Sequence, residues 1–206
     1  MAVTLTTPNT LLGTFAPKGE SAKLVAGVAT VVLGTLFITL CSKISVPVWP
    51  VPVTLQTLSI ALIAAAFGWR IGTATVLLYI IEGLSGLPVF AGAGAGPAYI
   101  FGPTGGFILG WLPMAAIIGR AADRGLSRHV LLLMATMLLA DALDFVLGFA
   151  WLVAFLGNAK GVGPAAVMGS AFAGAIQPFV VWDILKMAFA AVTVAGSWTL
   201  LKSRKS

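Results

Sequence analysis

The sequence predicts an all-α integral membrane protein of six spanning helices. Hydrophobic residues fill 59% of its 206 positions and charged residues only 9%, and mean hydropathy is +1.05, far from the composition of soluble globular domains. Charge-free runs recur along the whole chain, and a helix needs roughly 20 apolar residues to cross a bilayer, so the length holds about six such helices and no soluble catalytic domain. The same composition excludes other classes. Twelve Lys and Arg stand against six Asp and Glu, but the cations do not gather in one patch, so no nucleic-acid surface is expected. A single cysteine, Cys41, and a single histidine, His129, allow no internal disulfide, no metal cage and no histidine-based triad.

Residues 1–20 contain Pro8, Pro17 and scattered Ser and Thr, with no basic segment ahead of an apolar core. They read as a flexible tail, not a cleaved signal peptide. A membrane domain over 21–202 and a basic cytoplasmic tail over 203–206 follow. The first helix, 24–41, is charge-free and is stopped by the proline-rich SVPVWPVP. Ala22, Ala26, Thr30 and Gly34 recur along it every four residues, a stripe of small side chains suited to a neighbouring helix inside or outside the bundle.

The second helix, 55–67, is short; Thr54 can cap it, Gln56 sits in its first turn, and Gly68-Trp69-Arg70 ends it. The third runs from 71 to 81 before meeting Glu82, Gly83 and then Pro88. Short or interrupted membrane segments point to a transport site, because loosened backbone is tolerated only where it lines a cavity or packs on protein. Helices two and three are therefore expected to border a pocket. The segment 88–107 carries glycines too dense for a stable helix. No GK[ST] follows, which excludes a phosphate-binding loop. Its length suits a lid whose Phe90, Tyr99 and Phe101 cover an organic ligand.

Thr104-Gly105-Gly106 opens the fourth helix, which runs to about Ile118 with a kink expected at Pro113. The polar stretch 120–128 leads past His129 into the fifth helix, 130–156, where Asp141 and Asp144 lie three apart without a basic partner nearby in sequence. They could relay protons, bind a cation or face a polar cavity. A glycine-rich loop over 157–169 precedes the sixth helix, 178–201.

The run QPFVVWDILK at 177–186 is the focus of the chain. Asp183 and Lys186 share a helix face. A charge near mid-bilayer costs roughly 2.5 to 3.5 kcal/mol on insertion scales, so a retained acid and base imply pairing, a polar cavity or both. An ion pair that merely pins two helices is the alternative. Lys18, Lys23, Arg70, Arg120, Arg124, Arg128, Lys202, Arg204 and Lys205 fall on one side of a six-span topology, against Lys43 and Lys160 on the other. The positive-inside rule then puts both termini in the cytoplasm and turns the starts of helices two, four and six outward. Those starts carry Thr54 and Gln56, Thr104 to Gly106, and, somewhat deeper, Trp182, Asp183 and Lys186. Their unpaired N–H groups suit a polar ligand captured from outside.

VPVTLQTL at 51–58, EGLSGLPVFAG at 82–92, FGPTGGF at 101–107 and DILK at 183–186 occur together in this order. Together they resemble the BioY family, the substrate-binding (S) components of energy-coupling-factor (ECF) transporters for biotin. The resemblance implies a six-helix S-component bundle in the bacterial plasma membrane, with biotin held near the outer surface and no enzyme activity or cofactor. It implies substrate contacts from Asp183, Lys186, Gln56, Thr54, Thr104 and Gly105, to which the lid adds Phe90 and Tyr99 and the start of the sixth helix Trp182. It also implies that Ala22, Ala26 and Thr30 face the transmembrane T component, with separate ATPase subunits supplying energy. Besides these partners and the lipid bilayer, a homo-oligomer is considered. Two other classes compete: a proton-coupled carrier using Asp141, Asp144 or Glu82, and an intramembrane enzyme with an Asp pair.

Overall fold

A computed structural model describes residues 9–14, 17 and 19–203. Pro8, Lys18, Arg204 and Lys205, which entered the tail and charge arguments, lie outside the described residues. In chain order the described helices are α1 (Leu11–Thr14), α2 (Glu20–Lys43), α3 (Gln56–Phe67), α4 (Trp69–Leu84), α5 (Gly96–Ile100), α6 (Gly105–Asp123), α7 (Val130–Lys160), α8 (Pro164–Ala175) and α9 (Val180–Ser203). The six expected helices are α2, α3, α4, α6, α7 and α9.

Four of them, α2, α6, α7 and α9, are each long and apolar enough to cross a bilayer. The 12 residues of α3, at about 1.5 Å of rise each, reach only about 18 Å of a core roughly 30 Å thick. An inserted hairpin supplies the remaining depth. Strands β1 (Ser45–Val46) and β2 (Val53–Thr54) pair antiparallel, Ser45 opposite Thr54, and Val51, Val53 and Thr54 are already buried before α3 begins. The N-terminus of α3 therefore starts inside the protein. Its other end passes into α4 through Gly68 alone, whose φ of +86° lies in the left-handed region that favours glycine.

The most extensive interface joins α6 and α7. Gly106 and Gly110 present bare backbone to α7, where a Cβ would run into Trp151 and the Asp144 carboxylate respectively. Small residues at that spacing let two membrane helices approach closely. The main core unites α3, α4, α6, α7 and α9 around Ile60, Tyr79, Met114, Met137 and Met187. A second cluster, with Val53, Phe107, Leu152, Val167 and Phe179, closes the hairpin end. Leu40 on α2, Leu139 on α7 and Phe189 on α9 are exposed on the outside, as expected of helices solvated by lipid.

At the opposite end Arg120 lies 4.5 Å from the centre of the Trp69 ring and Arg128 4.8 Å from that of Trp198, cation–π pairs typical of a membrane interface. Part of the expected N-terminal tail packs there. Leu11 of α1 rests on the main core, the Asn9 amide donates to the Asp123 carbonyl at 2.9 Å, and Arg128 donates to the Asn9 side chain at 3.2 Å.

Two expected loops hold helices. The segment expected as loop 157–169 is occupied by the end of α7 and by the start of α8. Gly161, at φ +62°, ends α7, and Pro164 opens α8, the usual punctuation for each. Val167, Ala171 and Ala175, four apart, bury one face of α8; packing of that face against α7 outweighs the poor helix propensity of its glycines. The glycine-rich stretch 88–107 likewise contains α5, five residues long.

Candidate functional site

Asp183 lies in the first turn of α9, where unpaired N–H groups and the helix dipole favour a carboxylate. Its Oδ1 accepts from the Lys186 ammonium at 2.7 Å and from the Thr57 hydroxyl at 2.8 Å. Lys186 also donates to Thr57 Oγ1 at 3.3 Å. The side chains of Asp183 and Lys186 are only 3% and 7% exposed, so the pair is sheltered from the screening that weakens surface ion pairs.

The buried start of α3 supplies the next layer. Thr54 donates to the Gln56 side-chain carbonyl at 2.8 Å and accepts from the Gln56 backbone N–H; the N-cap position expected for it is held by Leu55, and Thr54 lies one residue earlier. Gln56 Nε2 donates to the Tyr79 hydroxyl at 2.7 Å, which in turn donates to the Val89 carbonyl at 2.6 Å. This chain of bonds links the site to the glycine-rich loop. The same loop is held by Lys43, whose ammonium donates to the carbonyls of Pro88, Phe90 and Gly92 at 2.5, 2.7 and 2.8 Å, and by Ser42, which donates to Val89 at 2.7 Å.

Thr54, Gln56, Thr57, Asp183 and Lys186 border a cavity of about 520 Å³ of empty space, part of it open to solvent. Its polar floor is Thr57, Asp141, Asp144, Asp183 and Lys186. The wall is aromatic: Phe107 and Phe179 stack with centres 6.4 Å apart, Phe145 meets Phe107 edge-on at 6.2 Å, and Trp111 and Tyr99 complete the lining. Between the hairpin loop and the glycine-rich loop lies a vestibule bordered by Pro47, Pro50, Ala91 and Gly92; it shares Pro52, Tyr99 and Thr104 with the cavity.

Of the residues expected to contact substrate, Thr54, Gln56, Tyr99, Thr104, Asp183 and Lys186 border the cavity, and Phe90, Gly105 and Trp182 do not. Phe90 is fully buried in the core behind Tyr99, stacked on it at 5.0 Å and edge-on to Tyr79 at 5.5 Å. Gly105 is buried beneath Trp151. Trp182 is 59% exposed, because one residue on a helix is a rotation of about 100° and the neighbour of an inward Asp183 must point outward. Phe101, expected in the lid, is also exposed. The third expected helix, α4, contributes no wall residue and reaches the site only through Tyr79.

Thr57, Trp111, Phe145 and Phe179 were not anticipated, yet three had a signal in the sequence. Trp111 is four residues after Phe107, Phe145 is four after Asp141, and Phe179 is four before Asp183, so each shares a face with a flagged residue. The small-residue stripe of α2 divides. Gly34 is buried against Thr75 of α4, whereas Ala22 is exposed and Ala26 and Thr30 are half-buried.

Residues 14–203 match the model of the BioY family. The chain is 37% identical over 163 residues to a probable biotin transporter BioY of Pyrococcus horikoshii, covering 78% of this chain and 90% of that one. It is 29% identical over 175 residues to a biotin transporter BioY of Rhizobium etli, covering 80% and 89%. The fold is similar to the crystal structure of an S-component for biotin from an ECF-type ABC transporter, with a TM-score of 0.71, 23% identity, and coverage of 89% of this chain and 93% of the other. With nearly its whole length matched in sequence and in fold, the chain belongs to the BioY family.

Proposed function

We propose that this protein is the biotin-binding S component of an ECF-type vitamin importer. The observation that carries the reading is the sheltered Asp183–Lys186 pair at the floor of an aromatic-walled cavity, in a chain of the BioY family. The bicyclic head of biotin carries a ureido group with N–H donors and a carbonyl acceptor beside an apolar thioether ring. Asp183 accepts from a ureido N–H and Lys186 donates to the carbonyl, while Thr57 keeps its hydroxyl on Asp183 and steadies the pair. Phe107, Phe145 and Phe179 enclose the apolar ring, and the valerate tail points to the vestibule through which the ligand enters.

No covalent chemistry is required. The basic end of the bundle faces the cytoplasm in the plasma membrane, which opens the cavity outward. The N-terminal part of the α2 stripe, exposed Ala22 with half-buried Ala26 and Thr30, docks the T component, and ATPase subunits drive the transition that releases biotin inside. Uptake of radiolabelled biotin into cells or vesicles, with and without the partner subunits, tests the reading. ATP-dependent uptake that requires the partners supports it, and uptake by this chain alone that follows a pH gradient would identify a secondary carrier instead.

A further inference from the structure

Asp141 and Asp144 border the cavity from the middle of α7. They are 4% and 3% exposed, and the Oδ1 atom of each is buried with no hydrogen-bond partner. Leaving a buried acceptor unpaired is costly, and the cost disappears when a donor arrives. Asp183 is in the opposite condition, already holding Lys186 and Thr57. The floor therefore has unpaired acceptors on α7 besides the lone pairs that Asp183 keeps. Among the described residues no group of His, Cys, Asp or Glu is arranged to hold a metal ion.

The two acids differ in freedom. Asp144 Oδ1 is wedged against Gly110 of α6, where a Cβ would strike it. Asp141 is within electrostatic reach of both Asp183 and Lys186, and Asp144 is the further charged neighbour of the same floor. The floor thus brings carboxylate acceptors from two helices, α7 and α9, near one donor, the Lys186 ammonium. That is the complement of a cyclic urea edge, in which two N–H donors flank a carbonyl.

The geometry points to Asp141 as a second substrate-contacting and specificity-determining residue, accepting the ureido N–H that Asp183 does not take. This inference rests on the biotin reading above.

The test compares biotin with its two isomers methylated on one or the other ureido nitrogen, bound to purified wild type and to Asp141→Asn. The expected result is that Asp141→Asn weakens biotin and one methyl isomer by about tenfold but leaves affinity for the other isomer unchanged. An equal loss for all three ligands, or none, overturns the assignment. Should the variant not fold, 15N-labelled biotin bound to wild type decides: both ureido N–H protons move downfield if both meet carboxylates, and one that stays at its free position overturns the assignment. Wild type that fails to bind biotin at all would instead remove the functional reading on which this one stands.

Discussion

At the residue scale, the Asp183–Lys186 pair separates binding from folding. Removing one partner of a buried pair strands the other charge and costs about 3 to 5 kcal/mol of stability, whereas replacing both with neutral groups is often tolerated. Lys186→Ala is therefore expected to lower the melting temperature in detergent as well as biotin affinity. The double variant Asp183→Asn/Lys186→Met is expected to melt near wild type yet bind biotin more weakly by about 1 to 3 kcal/mol or more, read by calorimetry and thermal unfolding side by side. Wild-type affinity in the double variant would remove the pair from the site. The pair was legible because an acid and a base inside an apolar run persist only where pairing or a polar cavity offsets the cost of burying them. Thr57 was not, since a hydroxyl in a membrane helix usually bonds to its own backbone, as Thr30 does to Ala26 at 2.7 Å. Phe90 was assigned to the ligand wall because loop aromatics next to glycines suggest a lid; the bare Gly83 backbone beneath it instead admits its ring into the core.

Elements explain how the site is shaped. The glycine-rich loop is tethered by Lys43, the last residue of α2, and Lys43→Met leaves three carbonyls without their shared donor. Faster amide exchange over 88–92 and quicker biotin release are expected, measured by hydrogen exchange and dissociation kinetics. An unchanged exchange rate would deny the tether any role. On α6, Gly110→Ala puts a methyl into the Asp144 carboxylate, and overpacking of this kind costs about 1 to 3 kcal/mol; thermal unfolding reads the loss. The Gly106–Gly110 spacing stands in the sequence but does not by itself say which helix packs on it. Helix α8 was hidden because glycine-rich composition argues for a loop when the face that Val167, Ala171 and Ala175 bury against α7 is not yet known. The hairpin that sinks α3 into the bundle was equally hidden, since two residues per strand leave no alternation to read.

For the whole molecule, the sequence announced six helices because lipid demands long apolar runs with every backbone group paired internally. It also showed the second helix, 55–67, to be short, and α3 has 12 residues. That shortfall lets three helix starts meet in one cavity between the loops. The exposed segment of α2 has no part in the cavity lining, so Ala26→Trp is expected to leave biotin affinity within about twofold of wild type while reducing partner-dependent uptake by about tenfold or more. Equal loss of both would indicate a damaged bundle. The central claim, that an acid–base pair on α9 holds biotin, is tested most directly by equilibrium binding of radiolabelled biotin to the purified protein. Saturable binding at one site per chain, weakened by about tenfold or more by Asp183→Asn/Lys186→Met in a protein that still unfolds cooperatively, is the predicted result. No binding to wild type, or equal binding to the folded double variant, would contradict it.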